Sequence, residues 1–279
     1  SSAPTAQNGA LMSKLDWLSG AKRQEHLDEH IDLTGRAAFG ELEVPAAEKR
    51  RRVQEHFDTV AARYDLLNTL LSGGLHYLWK RKAVGRLGLS PGEKVLDLCA
   101  GTGDLAWLAA KRVAPHGMVA ACDMNGPMLR AGKKNYSQAR QYASCELIQG
   151  DAESIPVKNG RFDAAMIGFG IRNLTYLRQG AEEMHRVLRP GGRLLCLEFS
   201  RPGNILFRRL YDLYSYTAMP LAGKILAGTA TPYCRLAQTI RMFPLPNELS
   251  RVFRESGFDQ IRFELLLNGL AVIHVAHKS

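Results

Sequence analysis

Val95-Leu96-Asp97-Leu98-Cys99-Ala100-Gly101-Thr102-Gly103-Asp104 reads as an apolar strand, a glycine turn and the first residue of a helix. Glycines at such a turn let the backbone bend sharply and approach a ligand closely. Gly101 to Ala106 also fits the dinucleotide fingerprint G-x-G-x-x-G/A, a match that alone does not choose the ligand.

Charge separates the candidates. A dinucleotide sets its pyrophosphate on the helix N-terminus, where backbone N–H groups and positive potential favour it. Here Asp97 and Asp104 flank the loop, and carboxylates repel a pyrophosphate. S-adenosylmethionine carries an ammonium, a sulfonium and one carboxylate but no phosphate. Acidic residues suit its cations, and the N–H groups at Gly101, Thr102 and Gly103 suit its carboxylate. Asp104 has a second reading as a helix cap. Asp123, at the end of the next strand, stands about twenty residues on, where an acidic side chain accepts from ribose hydroxyls. Met124 follows it. After a third strand, Asp151 in Gly150-Asp151-Ala152-Glu153 can accept from an adenine amino group, with Ala152 beside it.

Outward from the loop, strand and helix patterns alternate. Strands are expected at Lys94–Cys99, Met118–Cys122, Cys145–Gln149, Phe162–Gly168 and Arg193–Phe199. Helices are expected at Leu105–Val113, Pro127–Tyr142 and Gly180–Leu188, and upstream at Glu48–Arg63 and Leu75–Leu87. The alternation predicts a doubly wound parallel sheet. After a helix at Glu248–Ser256, strands at Ile261–Leu267 and Ala271–Ala276 meet at Asn268-Gly269, a hairpin signal. A parallel sheet closed by an antiparallel hairpin is the layout of class I S-adenosylmethionine methyltransferases: α/β, Rossmann-like, mostly parallel and seven-stranded. Residues 1–50 read as an appendage, with a weakly amphipathic helix over Leu15–Asp32, and residues 51–279 as the methyltransferase domain. Between about 201 and 246 a Leu-, Tyr- and Arg-rich helical insertion interrupts the domain.

With 279 residues, 46% hydrophobic and 23% charged, the chain has the composition of an ordinary globular protein. Its formal net charge of +10 suits an anionic partner or simply a solvated basic surface. The five cysteines form no CxxC pair, which argues against a disulfide framework or a zinc site, so no metal is expected. No apolar run reaches the ~18 residues of a membrane span. Ser1–Ala10 lacks the apolar core of a secretory signal, and Met12 is a candidate native start.

Several segments are more specific than the glycine loop. They include Phe57-Asp58-Thr59-Val60-Ala61-Ala62-Arg63-Tyr64-Asp65, Gly74-Leu75-His76-Tyr77-Leu78-Trp79-Lys80-Arg81 and Phe169-Gly170-Ile171-Arg172-Asn173. Others are Arg186-Val187-Leu188-Arg189-Pro190-Gly191-Gly192-Arg193, Leu197-Glu198-Phe199-Ser200, Tyr211-Asp212-Leu213-Tyr214-Ser215 and Ser256-Gly257-Phe258. On these the chain, from about Ala38 to its end, resembles the ubiquinone/menaquinone biosynthesis C-methyltransferases. The resemblance implies carbon methylation of a prenylated quinol, with donor contacts at Thr102, Asp123, Asp151 and Ala152. The chain departs from the family pattern at Ala100, often glycine, at Asp151, often asparagine, and at Gly168, commonly a serine that touches the donor.

A quinol carbon becomes nucleophilic when its phenol, with a pKa of about 10, is deprotonated. The site must therefore stabilise a phenolate or supply a base. Arg172 is the expected stabiliser, because a guanidinium stays charged. Asn173 would orient a water or the ring oxygen, and Tyr64 would close over the donor or bond the substrate. Each has a structural alternative: a carboxylate pair for Arg172, with Glu198 a candidate partner, a helix cap for Asn173, and packing for Tyr64. His76 reads as a helix-end histidine. The insertion, with Phe207, Leu210, Tyr211 and Tyr214 beside Arg208 and Arg209, reads as a substrate lid or as ordinary helical core. As a lid it would also favour an anionic membrane surface.

The expected partners are a prenylated quinol, a peripheral membrane surface, and either a homodimer or a quinone-synthesis assembly. Benzoquinol and naphthoquinol rings stay equally open. The expected location is the cytoplasm at the inner membrane, with a mitochondrial matrix as the alternative. Two other readings compete: a nucleic-acid methyltransferase and a non-catalytic scaffold of the same fold. No Asn/Asp-Pro-Pro-aromatic motif supports the first, so no nucleic-acid partner is expected, and intact donor motifs oppose the second.

Overall fold

The computed structural model describes residues 28–39, 42–61, 64–227 and 231–279. Most of the expected helix at Leu15–Asp32 lies outside the described residues. The described chain opens with α1 (Asp28–Thr34), a hairpin of β1 (Arg36–Phe39) and β2 (Leu42–Pro45), and α2 (Ala46–Val60). Phe39 and Val44 of the hairpin pack on Val53 and Phe57, one helical turn apart on α2. The expected boundary at residue 50 falls within α2.

Then follow α3 (Tyr64–Ser72), α4 (Leu75–Leu87), β3 (Lys94–Leu98), α5 (Asp104–Val113) and β4 (Met118–Asp123). Next are α6 (Gly126–Ala131), α7 (Lys133–Ala139), β5 (Ser144–Gln149), β6 (Phe162–Gly168), α8 (Leu177–Val187) and β7 (Leu188–Phe199). The chain ends with α9 (Ile205–Tyr216), α10 (Ala218–Ala227), α11 (Thr231–Met242), α12 (Pro246–Glu255), β8 (Asp259–Leu266) and β9 (Ala271–His277). The main sheet has seven strands in the order β5-β4-β3-β6-β7-β9-β8. Strands β5 to β7 are parallel, and β9 runs antiparallel to both β7 and β8. This is the mostly parallel sheet with a terminal hairpin that the sequence pattern predicts.

Side chains alternate across each strand, so one apolar run feeds two cores. Val95, Val119, Met166 and Leu195 face α4, α5 and α7. Leu96, Ala120, Ile167 and Leu194 face α8 and α12. No helix among the described residues is long and apolar enough to cross a membrane.

Two expectations change in detail. The helix expected over Pro127–Tyr142 is two short helices broken at Gly132. A β-carbon there would lie 2.6 Å from the Thr102 carbonyl oxygen, so helix and glycine loop approach too closely for any side chain. The Asn268-Gly269 turn is longer than a two-residue hairpin loop. The last strand pair is Leu266 with Ala271, and Asn268 (φ 57°) and Gly269 (φ 88°) supply positive φ values within the four residues between.

Candidate active site

Chain order reverses at β3. The chain winds from β3 out to β5, then returns to place β6 on the other side of β3. Open α/β sheets bind ligands at such a switch point, beyond the carboxyl ends of the strands. Two residues there hold left-handed backbone without being glycine: Cys99 (φ 51°) after β3 and Phe169 (φ 57°) after β6. Conformations of this kind cost ~1–3 kcal/mol and concentrate at functional sites. Gly170 allows the two strand ends to touch, since a β-carbon there would lie 2.4 Å from Cys99 Cβ.

A narrow cavity of about 70 Å³ occupies this point. Its wall includes Gly101, Asp123, Met124, Asp151 and Ala152, all expected donor contacts. Asp97, Thr102 and Gly103 stand behind that wall. Asp97 is 1% exposed, and no donor meets its carboxyl oxygens in close hydrogen-bond geometry. Burial pushes its carboxyl well above the usual range, against which the Ala106 N–H and then the Lys80 ammonium pull. The Thr102 hydroxyl donates to Asp65 Oδ1 at 2.6 Å. Asp104 is not a helix cap: Lys80 Nζ donates to Oδ2 at 2.6 Å and Asn135 Nδ2 to Oδ1 at 2.8 Å. Asp123 accepts the backbone N–H groups of Gly101 and Asn125, both at 2.8 Å. Burial raises its pKa, and those two donors oppose the rise.

The acidic set around a glycine turn fits a cationic nucleoside and not a pyrophosphate. Acidic side chains at Asp123 and Asp151 and backbone N–H groups at the loop supply both signs such a ligand needs. The cavity is smaller than the ~300 Å³ of an ordinary ligand pocket. Helix α2 lies across it: Arg50 forms an ion pair with Asp151, and Asn125 Nδ2 donates to Asp58 at 2.8 Å.

A second cavity of about 580 Å³ adjoins the first. Val53, Phe57, Tyr64, Phe169 and Asn173 line both, so a ligand in one meets a ligand in the other at these residues. Its walls are mostly apolar: Phe39, Trp79 and Phe199 from the core side, and Phe207, Leu210 and Tyr211 from α9. Arg172 enters this wall already paired. Its Nη1 donates to Glu198 Oε1 and to the Phe169 carbonyl, both at 2.6 Å. The guanidinium carbon lies 5.7 Å from the centre of the Phe199 ring. Burial pushes the Glu198 carboxyl up, and Arg172 beside it pulls it back. Asn173 does not cap α8, whose first turn is preceded by Tyr176. Tyr64 packs edge-on against Phe57, with ring centres 6.1 Å apart. His76 is buried at this wall, Thr69 Oγ1 lies 3.3 Å from its Nε2, and burial with Lys80 nearby lowers its pKa to about 4.

Residues 45–278 match the model of the ubiE/COQ5 methyltransferase family. The chain belongs to that family. The ubiquinone/menaquinone biosynthesis C-methyltransferase UbiE of Pseudomonas putida is 43% identical over 236 residues, 85% of this chain and 92% of the relative. The UbiE of Pseudomonas fluorescens matches to the same extent. Among solved structures, a SAM-dependent methyltransferase from Thermotoga maritima shares the fold at a TM-score of 0.56 and 19% identity, covering 81% of this chain and 99% of that one.

For this family member, the residues missed in the sequence are mainly those that back the loop. Tyr136, 1% exposed, donates its hydroxyl to the Gly101 carbonyl at 2.8 Å. Asn125 caps α6 by accepting from Met128 N–H, and also ties that turn to α2. Asn125 carried a signal, being the residue before Gly126-Pro127 at a helix start. Tyr136 carried none, because an apolar residue on the buried face of a helix is ordinary core by pattern.

Proposed function

We propose that this chain transfers a methyl group from S-adenosylmethionine to a ring carbon of a prenylated quinol in ubiquinone or menaquinone biosynthesis. One observation carries the reading. An acidic, glycine-walled cavity opens into a larger apolar one, and the two share a wall that holds Asn173 and Tyr64 beside Arg172. Membership of a family whose relatives carry that activity in their name supports it.

Asp123 would take the ribose hydroxyls, Asp151 and Ala152 the adenine edge, and Met124 the adenine face. Gly101, Thr102 and Gly103 would present N–H groups to the donor's carboxylate, and Asp97 would face its ammonium through the loop. The bound donor supplies an electrophilic methyl on sulfonium. Everything else is the protein's task. Phe57 and Tyr64 exclude water at the junction, since both line the two cavities. Arg172, held by Glu198 and the Phe169 carbonyl, cannot swing away. Its fixed charge therefore stabilises a phenolate on the ring oxygen with little reorganisation. Asn173 orients that oxygen.

The helices within residues 201–246 form the lid of the methyltransferase domain (51–279), and Ala38 and Phe39 of β1, in the preceding 28–50, add to the cavity wall. Leu206, Leu210, Leu213, Leu221 and Ile225 are exposed on α9 and α10, next to Arg209 and Lys224. Leu210 also lines the cavity, so this apolar face and the cavity mouth are continuous. A face of this kind suits an anionic bilayer from which a tailed substrate enters. The protein accordingly works at the cytoplasmic side of an inner membrane, alone as a homodimer or within a quinone-synthesis assembly.

The test is transfer of labelled methyl to a reduced demethylmenaquinol and to a demethoxy-type prenylated benzoquinol, with Arg172→Ala in parallel. Transfer to either, reduced ~10²–10³-fold in kcat by the substitution, supports the reading. Donor binding without transfer to any quinol refutes it.

A further inference from the structure

Phenolate formation needs a proton acceptor, and the cavity holds an unassigned one. Lys49 sits on α2 one turn before Val53 and two before Phe57, and all three line the large cavity. Lys49 is 7% exposed, and its Nζ donates to the Leu174 carbonyl at 2.6 Å. Leu174 directly follows Arg172 and Asn173, so the amine and the guanidinium flank one short turn. Two acids approach the amine: Glu153 beyond β5 and Asp28 on α1. Both pull its pKa up, but by less than burial pulls it down. Glu153 accepts the Thr175 N–H at 2.5 Å, and Asp28 accepts the Arg178 N–H at 2.7 Å. Burial therefore dominates, and the Lys49 pKa falls to about 8 from its ordinary 10.5.

Most of the other titratable groups of the lining are poor bases at neutral pH. A guanidinium offers donors and no acceptor, so Arg172 is no base. Lys80 is held charged by Asp104. His76, near 4, is too weakly basic, and burial pushes the Tyr211 phenol up to about 12. Burial also raises the Tyr214 phenol on α9. His56 on α2 and Tyr64 on α3 are the remaining titratable side chains of the lining among the described residues.

We propose that Lys49 accepts the proton of the substrate's ring hydroxyl. This rests on the quinol reading above. The O–H bond breaks and its electron pair stays on oxygen, while the neutral amine forms the new N–H bond. The ring carbon then bonds to the donor methyl, and the C–S electrons leave with the thioether, S-adenosylhomocysteine. The proton displaced from that carbon passes to solvent. Lys49 returns its own proton to the ring oxygen, so quinol and sulfonium give methylquinol, thioether and one proton. A base near 8 facing a phenol near 10 is short by a factor of about 100. The fixed charge of Arg172 acts in the direction that closes this gap.

The experiment measures anaerobic methyl transfer to demethylmenaquinol and the demethoxy-type benzoquinol against pH, for wild type, Lys49→Met and Lys49→Arg. In wild type, kcat rises through an apparent pKa near 8, as the amine loses its proton. In Lys49→Met, kcat falls by ~10²–10⁴ and the rising limb moves up toward the phenol's own value. Lys49→Arg keeps the charge, cannot accept a proton and stays equally low. A second readout needs no donor: the absorbance of the bound quinol shows ionisation at lower pH in wild type than in Lys49→Met. Unchanged melting temperature and S-adenosylhomocysteine affinity in both variants separate the chemistry from misfolding. An active wild type with full rescue by Lys49→Arg, or with an unmoved pH limb in Lys49→Met, overturns this proposal alone. A wild type that methylates neither quinol overturns the quinol reading and this one with it.

Discussion

Arg172 and Glu198 are both nearly inaccessible, with side chains 7% and 2% exposed, so their charges depend on each other. Removing one partner strands the other in low dielectric. Glu198→Gln is expected to destabilise the protein by ~3–5 kcal/mol in urea unfolding. The exposed pair Arg178–Glu255 serves as control, and Glu255→Gln should cost at most about 1 kcal/mol. Histidine sets the acid limit. Burial holds His76 and His274 near 4, against an ordinary value of 6.5. As pH falls through 6.5, the unfolded chain takes up protons that the folded chain refuses until about 4. Stability is therefore full above 6.5 and declines across that window. Unfolding free energies measured across it should show the decline, and His274→Gln should flatten it. At this scale the sequence was readable where a residue's place on a strand end fixed its surroundings. Asp123, Met124 and Asp151 follow strands and reach the cavity wall. The side of a tight loop is not periodic, so nothing in the pattern put Thr102 behind that wall. The partners of Asp104 come from α4 and α7, 24 and 31 residues away, beyond any local spacing.

Among the elements, strands and long helices were legible because their apolar periods are 2 and 3.6 residues. Helix α4 appears over the expected Leu75–Leu87, and β6 over Phe162–Gly168. The break between α6 and α7 escaped, because the cause is a contact and not a propensity. The amphipathic pattern continues across Gly132, while the Thr102 carbonyl lies against it. Gly132→Ala should improve helix propensity and still destabilise the protein by ~1–3 kcal/mol, because the obstructing atom is backbone. It should also weaken S-adenosylhomocysteine binding, since the displaced loop carries Gly101 to Gly103. Calorimetric titration and urea unfolding of one variant check both. The β1–β2 hairpin escaped for a different reason. Its strands have four residues each, too short for a period to register, and its fold depends on packing against α2.

Across the whole molecule, strand order and the switch point follow from the alternation of strand and helix. The lid's internal bracing does not. Arg241 on α11 pairs with Asp212 on α9 and donates to Ser215 Oγ at 2.9 Å, all three buried. Only the folded lid brings together residues 26 and 29 positions apart. Arg241→Met should loosen α9 against α11 and leave the sheet intact. The expected outcome is faster proteolysis within residues 201–246 and a several-fold higher KM for quinol, at unchanged donor affinity. A loss of donor affinity would mean that the lid also holds the first cavity in shape.

The central claim is that the two joined cavities bring a methyl donor to a ring carbon. The most direct measurement is incubation of the protein with methyl-13C-labelled S-adenosylmethionine and reduced demethylmenaquinol, followed by carbon NMR of the product. The account predicts a single labelled resonance at the aryl-methyl position. A label on oxygen, forming a methoxy resonance, or no labelled quinol despite donor binding, would contradict it.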